Sequence, residues 1–472
     1  MTTWVFDRSG CYSAGPFNIH KQPERFIRVI AGYTVMDEEQ LGLDTFIKRD
    51  GDGQFVRFKH EGGEVQFEVQ RTPLIRQRAI VSRGTTCFLS RKRNSKDWEY
   101  VTKFSWTPDR RESEATLLQR ANERGVEGIA RLEGHCNITR ISEMRSEMAF
   151  RTPYTFRGTS DSIQSRSVHS SSPNVPSSKP GSWTSAVNSS ERSNKRKSPS
   201  ALPESKRSQP KGNFASASNP VTFEVQENEG TSLFAAREGD YDDRIFRCLV
   251  IFPAGRPIYE YRSPLELVQA LRDAIKAHWS LYSVGNILHP DISENNIIIT
   301  DRAKTGFAGM LIDMDLAKEL GQGPSGARRR TGTMEFMAIE VLMKKDHTYR
   351  HDLESFFYVL IWQCARRGWE FVGDPQNQPL HSHLTKWYTG TFEDIAFAKA
   401  SIVDDAKRFD YVLDKEFPPE LESLKPLCRS LRRILFPFNG DEIFTGTPKN
   451  PKVLYVPMLK AFDKAISDLG GQ

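Results

Sequence analysis

An acid and an amide, Asp291 and Asn296, stand five residues apart and precede a β-branched run at residues 297–299. A carboxylate at the first position can accept or orient the proton of an attacking hydroxyl. A neutral amide oxygen at the second can hold Mg²⁺ without adding another charge. This order is typical of a phosphotransferase catalytic loop. The segment therefore predicts a base at Asp291 and a metal ligand at Asn296.

Two other interpretations stay open when this segment is considered alone. His289, Pro290 and Asp291 also form the tripeptide that links two helices in J-domain co-chaperones, but the next residues, 297–300, predict a strand and not a helix. Asp and Asn before a strand are also common turn residues. Motifs further along the chain decide between these interpretations.

A second carboxylate, Asp313, ends an apolar strand-like run 22 residues after Asp291. An acid at the end of a buried strand is where phosphotransferases hold a hard divalent cation that bridges ATP phosphates. A single acid in such a place is common, whereas two sites in this order and spacing are not. We therefore expect Asp313 and Asn296 to bind Mg²⁺.

Two further motifs come next, in the order found in protein kinases. Residues 332–340 read GTMEFMAIE and match G-T-x-E-[FY]-[LM]-A-x-E, the end of a kinase activation segment. The hydroxyl of Thr333 in this motif can reach the catalytic Asp, which favours Ser/Thr over Tyr as the acceptor. Residues 351–360 begin a hydrophobic helix with Asp352 and, three residues later, Ser355. In kinases the Asp of that helix holds the backbone of the catalytic loop.

With these motifs, the chain resembles the fungal-type protein kinases, an intracellular family related to eukaryotic Ser/Thr kinases. The resemblance rests on the stretches DISENNIII, LIDMDLA, RTGTMEFMAIEVL and HDLESFFYVLIW, and on the N-terminal TWVFDRSGCYSAGPFNIH and PERFIRVIAGY. It implies an α+β, bilobal protein-kinase-like fold with a small, mostly β N-lobe that holds one key helix and a larger, mostly α C-lobe. It also implies ATP and Mg²⁺ as cofactors and transfer of the γ-phosphate to Ser/Thr hydroxyls of protein substrates.

The resemblance also implies a lysine and a glutamate in the N-lobe. Residues 98–104 predict a strand with Lys103 near its end, where it would contact the α/β-phosphates. Residues 112–124 predict a helix in which Glu114 is the better partner for Lys103, and Glu112 stays open. The alternatives are an edge-strand lysine and a solvated acid favoured by the first turn of a helix.

The loop that should cover the phosphates is the weakest part of the resemblance. Gly84 is its single glycine, where typical kinases have three. The backbone can still turn over the phosphates there, so Gly84 joins Lys103, Asn296 and Asp313 as a predicted nucleotide-binding residue. Residues 246–253, an apolar strand followed by a turn, predict the hinge that receives adenine.

Three residues depart from the usual kinase pattern: Pro290 replaces an Arg, Ser293 replaces a Lys, and Asp315 replaces the Gly of Asp-Phe-Gly. In many kinases the missing Arg pairs with an activation-loop phosphate, and Arg329 occupies the position of that phosphosite. We therefore expect activity that does not need phosphorylation there. Loss of the Lys removes a cation from the transferring phosphoryl group, although fungal-type kinases resemble this chain in having Ser at that position.

These departures keep two alternatives to a Ser/Thr kinase open. The first is a pseudokinase that acts as a binding or scaffold module, which Pro290, Asp315 and the glycine-poor loop favour. The second is a small-molecule phosphotransferase of the aminoglycoside or choline kinase type, which shares the spacing of Asp291 and Asn296. That class lacks both the activation-segment motif and the Asp-x-x-Ser helix.

The elements that must position these residues lie on both sides of a basic, Ser-rich segment. Residues 151–220 carry 11 Lys/Arg, 3 Asp/Glu and 20 Ser, with too little apolar surface to offset the entropy of ordering, so we predict a disordered insertion at 151–225. Before it, residues 1–78 form an extension packed on or leading into the N-lobe, and residues 79–150 form the first part of that lobe. Residues 226–472 complete the N-lobe and form the hinge and C-lobe.

A split basic cluster in the insertion is a candidate contact for a nuclear import receptor. Its residues are Lys195, Arg196, Lys197, Lys206 and Arg207. The alternative is a solvated linker. No aromatic residues are interleaved with the basic ones, so we do not expect a base-stacking surface for nucleic acid.

Composition excludes several classes of protein. The chain has 472 residues, a net charge of +6 and 38% hydrophobic residues, enough for about three domain-sized units. Its longest apolar run, residues 356–362, is far shorter than the ~20 residues of a membrane span, and its start carries no secretory signal. The six scattered cysteines argue against a Cys-rich zinc site and favour a reduced, intracellular protein. We expect the protein in the nucleus, the cytoplasm or both.

Overall fold

The computed structural model describes nine stretches of the chain, which are residues 1–51, 53–60, 63–77, 82–93, 95–146, 243–321, 332–370, 382–440 and 442–471. The predicted insertion at 151–225 lies outside the described residues, and so does Arg329. The basic cluster of that insertion is outside them as well: Lys195, Arg196, Lys197, Lys206 and Arg207. The described residues end at Ser146 before the insertion and begin again at Asp243 after it.

The first part of the chain is mostly β. Its strands are β1 (Thr2–Asp7), β2 (Gly10–Pro16), β3 (Lys48–Asp50), β4 (Gly53–His60), β5 (Gly63–Val69), β6 (Ile75–Arg76), β7 (Thr86–Lys92), β8 (Tyr100–Pro108), β9 (Arg131–Arg140) and β10 (Arg244–Phe252). Its helices are α1 (Pro23–Val35), α2 (Glu114–Glu123) and α3 (Ile141–Met144). The predicted hinge strand at 246–253 corresponds to β10.

One antiparallel sheet organises this part, with the strand order β3-β4-β5-β7-β8-β10-β9 and with β6 paired to β7. β9 and β10, which flank the insertion, are hydrogen-bonded neighbours. β1 and β2 form a separate hairpin. The sheet contains strands from both sides of residue 78, and the domain boundary expected at that residue stays a prediction.

Alternation along β8 sends neighbouring side chains to opposite faces of the sheet. Phe104 packs into an apolar cluster with Phe67 and Phe88 on one face. Lys103 lies on the other face, where it contacts α2. Because β8 is bonded on both sides, to β7 and to β10, Lys103 does not stand on an edge strand.

Helix α2 lies within two residues of its predicted bounds. The side chain of Ser113 accepts a hydrogen bond from the backbone N–H of Thr116 at 3.1 Å and caps the helix. Gly125 follows the helix with φ of 76°, a conformation that favours glycine. Glu114 in the first turn and Leu117 one turn later are both buried.

The second part of the chain is mostly helical. Its helices are α4 (Pro264–Ser283), α5 (Arg302–Thr305), α6 (Ile339–Leu342), α7 (Tyr349–Glu370), α8 (Phe392–Asp404), α9 (Ala406–Glu416), α10 (Lys425–Leu435) and α11 (Lys452–Gly470). Its short strands are β11 (Arg256–Pro257), β12 (Ile287–Leu288), β13 (Ile297–Ile299), β14 (Gly309–Leu311), β15 (Lys318–Glu319), β16 (Phe438–Asn439) and β17 (Glu442–Ile443). Within the described stretches, every helix is too short or too polar to cross a membrane.

A large apolar core holds the helical part together and reaches the sheet. Phe356 and Phe357 of α7 and Leu271 of α4 are fully enclosed in it. The same core includes Leu117 and Leu118 of α2, so α2 packs against both parts of the molecule. A small sheet-rich part with one bridging helix and a larger helical part confirm the predicted α+β, bilobal architecture.

Candidate active site

Short loops at strand ends carry the predicted catalytic residues. Asp291 and Asn296 lie between β12 and β13, and Asp313 follows β14. Asp313 has φ of 64° and ψ of 75°, a left-handed conformation that is uncommon outside glycine and is found at functional turns. Thr333 immediately precedes a 3₁₀ turn, Met334–Phe336.

Lys103 is the centre of a buried charge cluster. Its Nζ donates to Glu114 Oε2 at 2.6 Å and to Asp313 Oδ1 at 2.7 Å. It also lies 3.0 Å from Asp315 Oδ2. Glu112, the other candidate partner for Lys103, instead forms an ion pair with Arg120 at 2.6 Å. Three elements, β8, α2 and the turn after β14, therefore meet at one ammonium.

Glu114 serves two elements at once. Its Oε2 accepts from Lys103, while its Oε1 accepts from the backbone N–H of Met314 at 2.9 Å. The side chain is only 3% exposed, so both bonds are shielded from water. The position of α2 is thereby tied to the backbone that follows Asp313.

Arg83 is a site residue that sequence reasoning missed. It lies in the loop that contains Gly84, and its Nη1 is 3.1 Å from Asp315 Oδ2 and 3.8 Å from Asp313 Oδ2. The charge of Asp315, which replaces the usual glycine, is therefore shared between Arg83 and Lys103. The only signal for Arg83 in the sequence is its position directly before Gly84.

The charges of this cluster shift one another's pKa values. Burial favours the neutral carboxyl of Asp313, but the charges of Lys103 and Arg83 outweigh burial and hold its pKa well below the usual value. Burial also opposes the charged form of Lys103, yet Asp313, Asp315 and Glu114 raise its pKa well above normal. For Glu114 burial dominates and raises the pKa to about 7. Asp313 is thus the carboxylate that stays ionised most firmly.

Asp291 is held by the two residues predicted to act with it. The amide nitrogen of Asn296 donates to the backbone oxygen of Asp291 at 2.8 Å and to its Oδ2 at 3.2 Å. The backbone N–H and the hydroxyl of Thr333 reach its Oδ1 at 3.2 and 3.3 Å. Burial and then the charge of Asp313 raise the pKa of Asp291 to about 6, so its carboxylate form predominates only above that pH.

Pro290 does not pull the loop out of place. His289 Nε2 bonds the backbone oxygen of Ile312 at 3.0 Å, which joins the catalytic loop to the strand before Asp313. Asp291, on the other side of the proline, keeps its contacts with Asn296 and Thr333. The extended bias that proline places on His289 is therefore compatible with this site.

Oxygen ligands for a cation are present in two arrangements. Glu114, Asp313 and Asp315 bring carboxylate oxygens within 4.8 Å of one another, but Lys103 Nζ lies within 3.0 Å of each and neutralises them. Asp313 and Asn296 offer a carboxylate and an amide oxygen, the donor types that Mg²⁺ prefers. Because the amide nitrogen of Asn296 is committed to Asp291, its oxygen is the atom left for a metal. The donor types of this second pair suit the ion.

Gly84 has φ of 56°, a left-handed conformation, in the loop between β6 and β7. A Cβ at this position would lie 2.5 Å from the guanidinium carbon of Arg8. Arg8 belongs to the turn between β1 and β2, and Asp7 in the same turn is held by Arg145 through bonds of 2.8 Å. The N-terminal hairpin is therefore anchored by Arg145, the residue after α3, and contacts Gly84 in the loop between β6 and β7.

A cavity of about 440 Å³ lies beside the predicted hinge. Its lining comes from β7, the turn after β10 and the end of β13: Leu89, Trp98, Ala254, Gly255, Arg256, Glu266, Ile299, Thr300 and Asp301. At Gly255 a Cβ would lie 2.8 Å from the backbone oxygen of Ile299. The hinge backbone and β13 are thus in close contact at the edge of this cavity.

Asp352 does not make the contact expected from kinases. Its carboxylate bonds His278 Nε2 at 2.9 Å and His347 Nε2 at 2.5 Å, in place of the backbone of the catalytic loop. His278 Nδ1 in turn accepts from or donates to the hydroxyl of Tyr455 at 2.7 Å. The aspartate therefore ties α7 to α4 and α11, because imidazole partners are available in its buried surroundings.

The comparison with protein-family models gives a match over most of the chain. A family model described as fungal protein kinase matches residues 1–364. Among solved structures, the chain is similar to vaccinia related kinase 3 at 13% identity and a TM-score of 0.41, over 90% of this chain and 95% of that one. That likeness is too distant to assign an activity. No curated protein matches the chain.

The matched residues contain the sheet, α2, the catalytic loop, Asp313, Thr333 and most of α7. They also contain the N-terminal hairpin that packs on Gly84. Since the match extends over residues 1–364 of 472, this chain belongs to the fungal protein kinase family.

Proposed function

We propose that this kinase transfers the γ-phosphate of ATP, in a Mg²⁺-dependent reaction, to Ser/Thr hydroxyls of protein substrates. The observation that carries the proposal is the contact of Lys103 with both Glu114 and Asp313, at 2.6 and 2.7 Å. Phosphoryl transfer in protein kinases requires the lysine–glutamate pair and the metal-binding aspartate in place together. In this molecule one ammonium joins them.

The residues of the cluster would act on the nucleotide. Lys103, oriented by Glu114, would contact the α/β-phosphates, and the backbone at Gly84 would cover them. Asp313 and Asn296 would hold Mg²⁺, which would supply charge neutralisation for the phosphate oxygens. Arg83, which pairs with Asp315, would bring a further cation to a site in which Ser293 stands where a lysine is usual.

Asp291 would act on the acceptor. Its carboxylate, kept in place by Asn296, accepts or orients the proton of the attacking hydroxyl. The hydroxyl of Thr333, 3.3 Å from Asp291 Oδ1, supports Ser/Thr specificity. The raised pKa of Asp291, about 6, predicts a rate that falls as the pH drops below that value, because protonation removes the base.

One observation favours a second candidate function, a binding or scaffold module without transferase activity. The cations of Lys103 and Arg83 are paired with the carboxylates of Asp313 and Asp315. ATP must displace part of this network before it can bind as proposed. A pseudokinase would keep the network closed.

Phosphate transfer from ATP and Mg²⁺ to a mixed Ser/Thr/Tyr peptide library separates the two functions. The wild type is compared with Asp291→Asn and Asp313→Asn, and Asp468→Asn on the exposed face of α11 is the matched control. Transfer to Ser/Thr peptides that both site variants lose, and that the control keeps, is the expected result. A folded wild type that transfers nothing with Mg²⁺ or Mn²⁺ would support the scaffold function instead.

We also propose that the basic cluster in the insertion directs nuclear import. Its positive residues are Lys195, Arg196, Lys197, Lys206 and Arg207, a pattern typical of import signals. Replacing all five by Ala in a fluorescent fusion should move the protein out of the nucleus. An unchanged distribution would mean that the cluster is only a solvated part of the chain.

A further inference from the structure

A fully buried lysine of the C-lobe binds the backbone that follows Thr333. Lys399 of α8 is 0% exposed, and its Nζ donates to the backbone oxygens of Met334, Glu335 and Met337 at 3.2, 2.9 and 2.6 Å. All three oxygens belong to the 3₁₀ turn and the residue after it. An ammonium has three N–H donors, so this turn uses all of them.

The charge of Lys399 is balanced without an ion pair. Within the described part of the chain no carboxylate lies in salt-bridge contact with it. Its Nζ is instead 4.3 Å from the ring centre of Tyr358 and 5.6 Å from that of Trp387. Backbone oxygens and aromatic faces both attract a buried cation.

The charged groups that act on Lys399 come from two of the elements packed around it. Glu354 of α7 is committed to Arg350, at 2.5 Å, and to the hydroxyl of Tyr358, at 2.7 Å. Glu335 lies in the turn itself. Glu340 of α6, which also packs against α8, is bonded to His351 and Lys345. Burial therefore dominates and lowers the pKa of Lys399 to about 7, against the opposing effect of Glu354 and Glu335.

The turn that Lys399 holds is directly joined to the proposed base. Thr333, the residue before it, gives its backbone N–H and its hydroxyl to Asp291. Phe336 within the turn is 2% exposed and packs edge-to-face on Trp362. In kinases that use an activation-loop phosphate, an Arg at the position of Pro290 anchors this region. Pro290 cannot make this contact in the present chain, because a proline side chain has no hydrogen-bond donor.

We propose that Lys399 is a positioning residue that fixes residues 334–337, and Thr333 with them, against Asp291, so that an internal ammonium replaces an activation-loop phosphate. This inference rests on the proposed kinase function for its consequence in catalysis. The restraint on the turn does not depend on any activity. The restraint and its consequence for catalysis are therefore measured in separate experiments.

The restraint should weaken as the pH rises. Below a pH of about 7 Lys399 is an ammonium and serves three carbonyl oxygens; above it, the neutral amine has two N–H groups and turns a lone pair toward the third oxygen. The kcat/KM of the wild type should thus fall as the pH rises through about 7, where Lys399 loses its proton.

Hydrogen exchange of the nucleotide-free protein tests the restraint. The backbone N–H groups of Phe336 and Met337 donate to Thr333 at 2.9 and 3.2 Å and report the turn directly. Lys399→Met removes the charge and keeps a side chain of similar length. The exchange of these two N–H groups should then be about tenfold faster, because the variant loses the net stabilisation of the hydrogen bonds from Lys399. Lys399→Arg, which keeps a charge at every pH, should stay close to wild type. Lys464→Met on exposed α11 is the matched control.

Peptide phosphorylation tests the consequence. In Lys399→Met the KM for the acceptor peptide should rise about tenfold while the KM for ATP is unchanged. In Lys399→Arg the alkaline limb of the pH profile should disappear. A structural role without positioning would lower the amount of folded protein but leave these ratios and the pH profile unchanged.

The outcomes separate the two proposals. If the wild type transfers no phosphate, the kinase function fails, and the exchange rates still decide whether Lys399 restrains the turn. Equal exchange in wild type and Lys399→Met overturns the restraint whatever the activity. If Lys399→Met does not fold, wild type and Lys399→Arg are compared at pH 6 and pH 8.5, after correction for intrinsic exchange. If the turn loses protection at pH 8.5 in the wild type but not in Lys399→Arg, the restraint is supported. If protection changes equally in both proteins, the restraint is overturned.

Discussion

Two buried lysines, Lys103 of the N-lobe and Lys399 of the C-lobe, have partners of different kinds, and their pKa values shift in opposite directions. Lys103 is surrounded by three carboxylates, and its pKa lies well above normal. Lys399 is surrounded by backbone oxygens and aromatic rings, and its pKa falls to about 7. Burial opposes both charges, so the difference comes from the partners. The first lysine is a permanent cation, whereas the second can lose its proton near neutral pH.

The same substitution at the two positions should have very different results, and this is the largest expected effect. Lys103→Met removes the proposed contact with the phosphates and should lower kcat about 10²- to 10³-fold, as loss of a preorganised charge does elsewhere. Lys399→Met should keep kcat within about threefold and act on the KM for the peptide. Steady-state kinetics with both substrates varied measures this. An equal loss of kcat in both variants would contradict the different roles proposed for the two lysines.

Stability should depend on pH with opposite signs at the two lysines. The raised pKa of Lys103 gives stability that is present below its unfolded value of 10.5 and lost as the pH rises through its folded pKa. For Lys399 the folded pKa, about 7, is below 10.5, so the cost of its buried charge is relieved between these values. From pH 7 to 9 the free energy of unfolding of the wild type should therefore rise relative to Lys399→Met, by up to ~1.4 kcal/mol per pH unit. Denaturant titrations at three pH values would show it, and parallel curves would contradict it.

A substitution at Asp315 tests how the carboxylates around Lys103 affect the binding of ATP. Asp315→Asn removes one of the three anions around Lys103 and frees Arg83 from its 3.1 Å ion pair. ATP should then bind about fivefold more tightly, because roughly 1 kcal/mol of repulsion between Asp315 and the phosphates is lost. Calorimetry with Mg-ATP measures the change, with Asp468→Asn as control. Weaker binding would mean that Asp315 itself helps to hold the nucleotide.

A substitution at Gly84 should have the smallest of these effects, a modest loss of ATP affinity. Gly84→Ala places a Cβ against Arg8 and strains a backbone with φ of 56°, so ATP binding should weaken by about threefold, equivalent to less than 1 kcal/mol. Gly306→Ala is the matched control, since Gly306 has φ of 84° and no heavy atom within 4 Å of an added Cβ. Equal effects in both variants would show that backbone strain, and not the contact with the N-terminal hairpin, is responsible.

The parts of the molecule that sequence could predict are those in which short spacing decides the structure. The helix predicted at 112–124 corresponds to α2, and the β-branched run after Asn296 predicted β13. Asp291 and Asn296 are five residues apart, and one loop brings them together. Their catalytic roles stay predictions until activity is measured.

The rest depends on contacts between distant parts of the chain. Arg83 and Asp315 are 232 residues apart, and Lys399 is 64 residues from Glu335. No local pattern marks either pair, because a lysine on an amphipathic helix usually points to solvent. The wrong expectation for Asp352 has in part the same origin, because its partner His278 lies 74 residues away and is brought to it by the packing of α7 on α4. Such pairings arise from tertiary structure.

Glu114 has a mechanical consequence. One oxygen holds Lys103 and the other holds the backbone of Met314, so any displacement of α2 must break both bonds in a single step. Releasing one would leave a buried carboxylate oxygen without a donor, which costs more than the bond itself contributes. Intermediate positions of the helix are therefore penalised, and α2 should behave as an all-or-none element. A ligand that favours one position of this helix would act as a switch for the whole charge cluster.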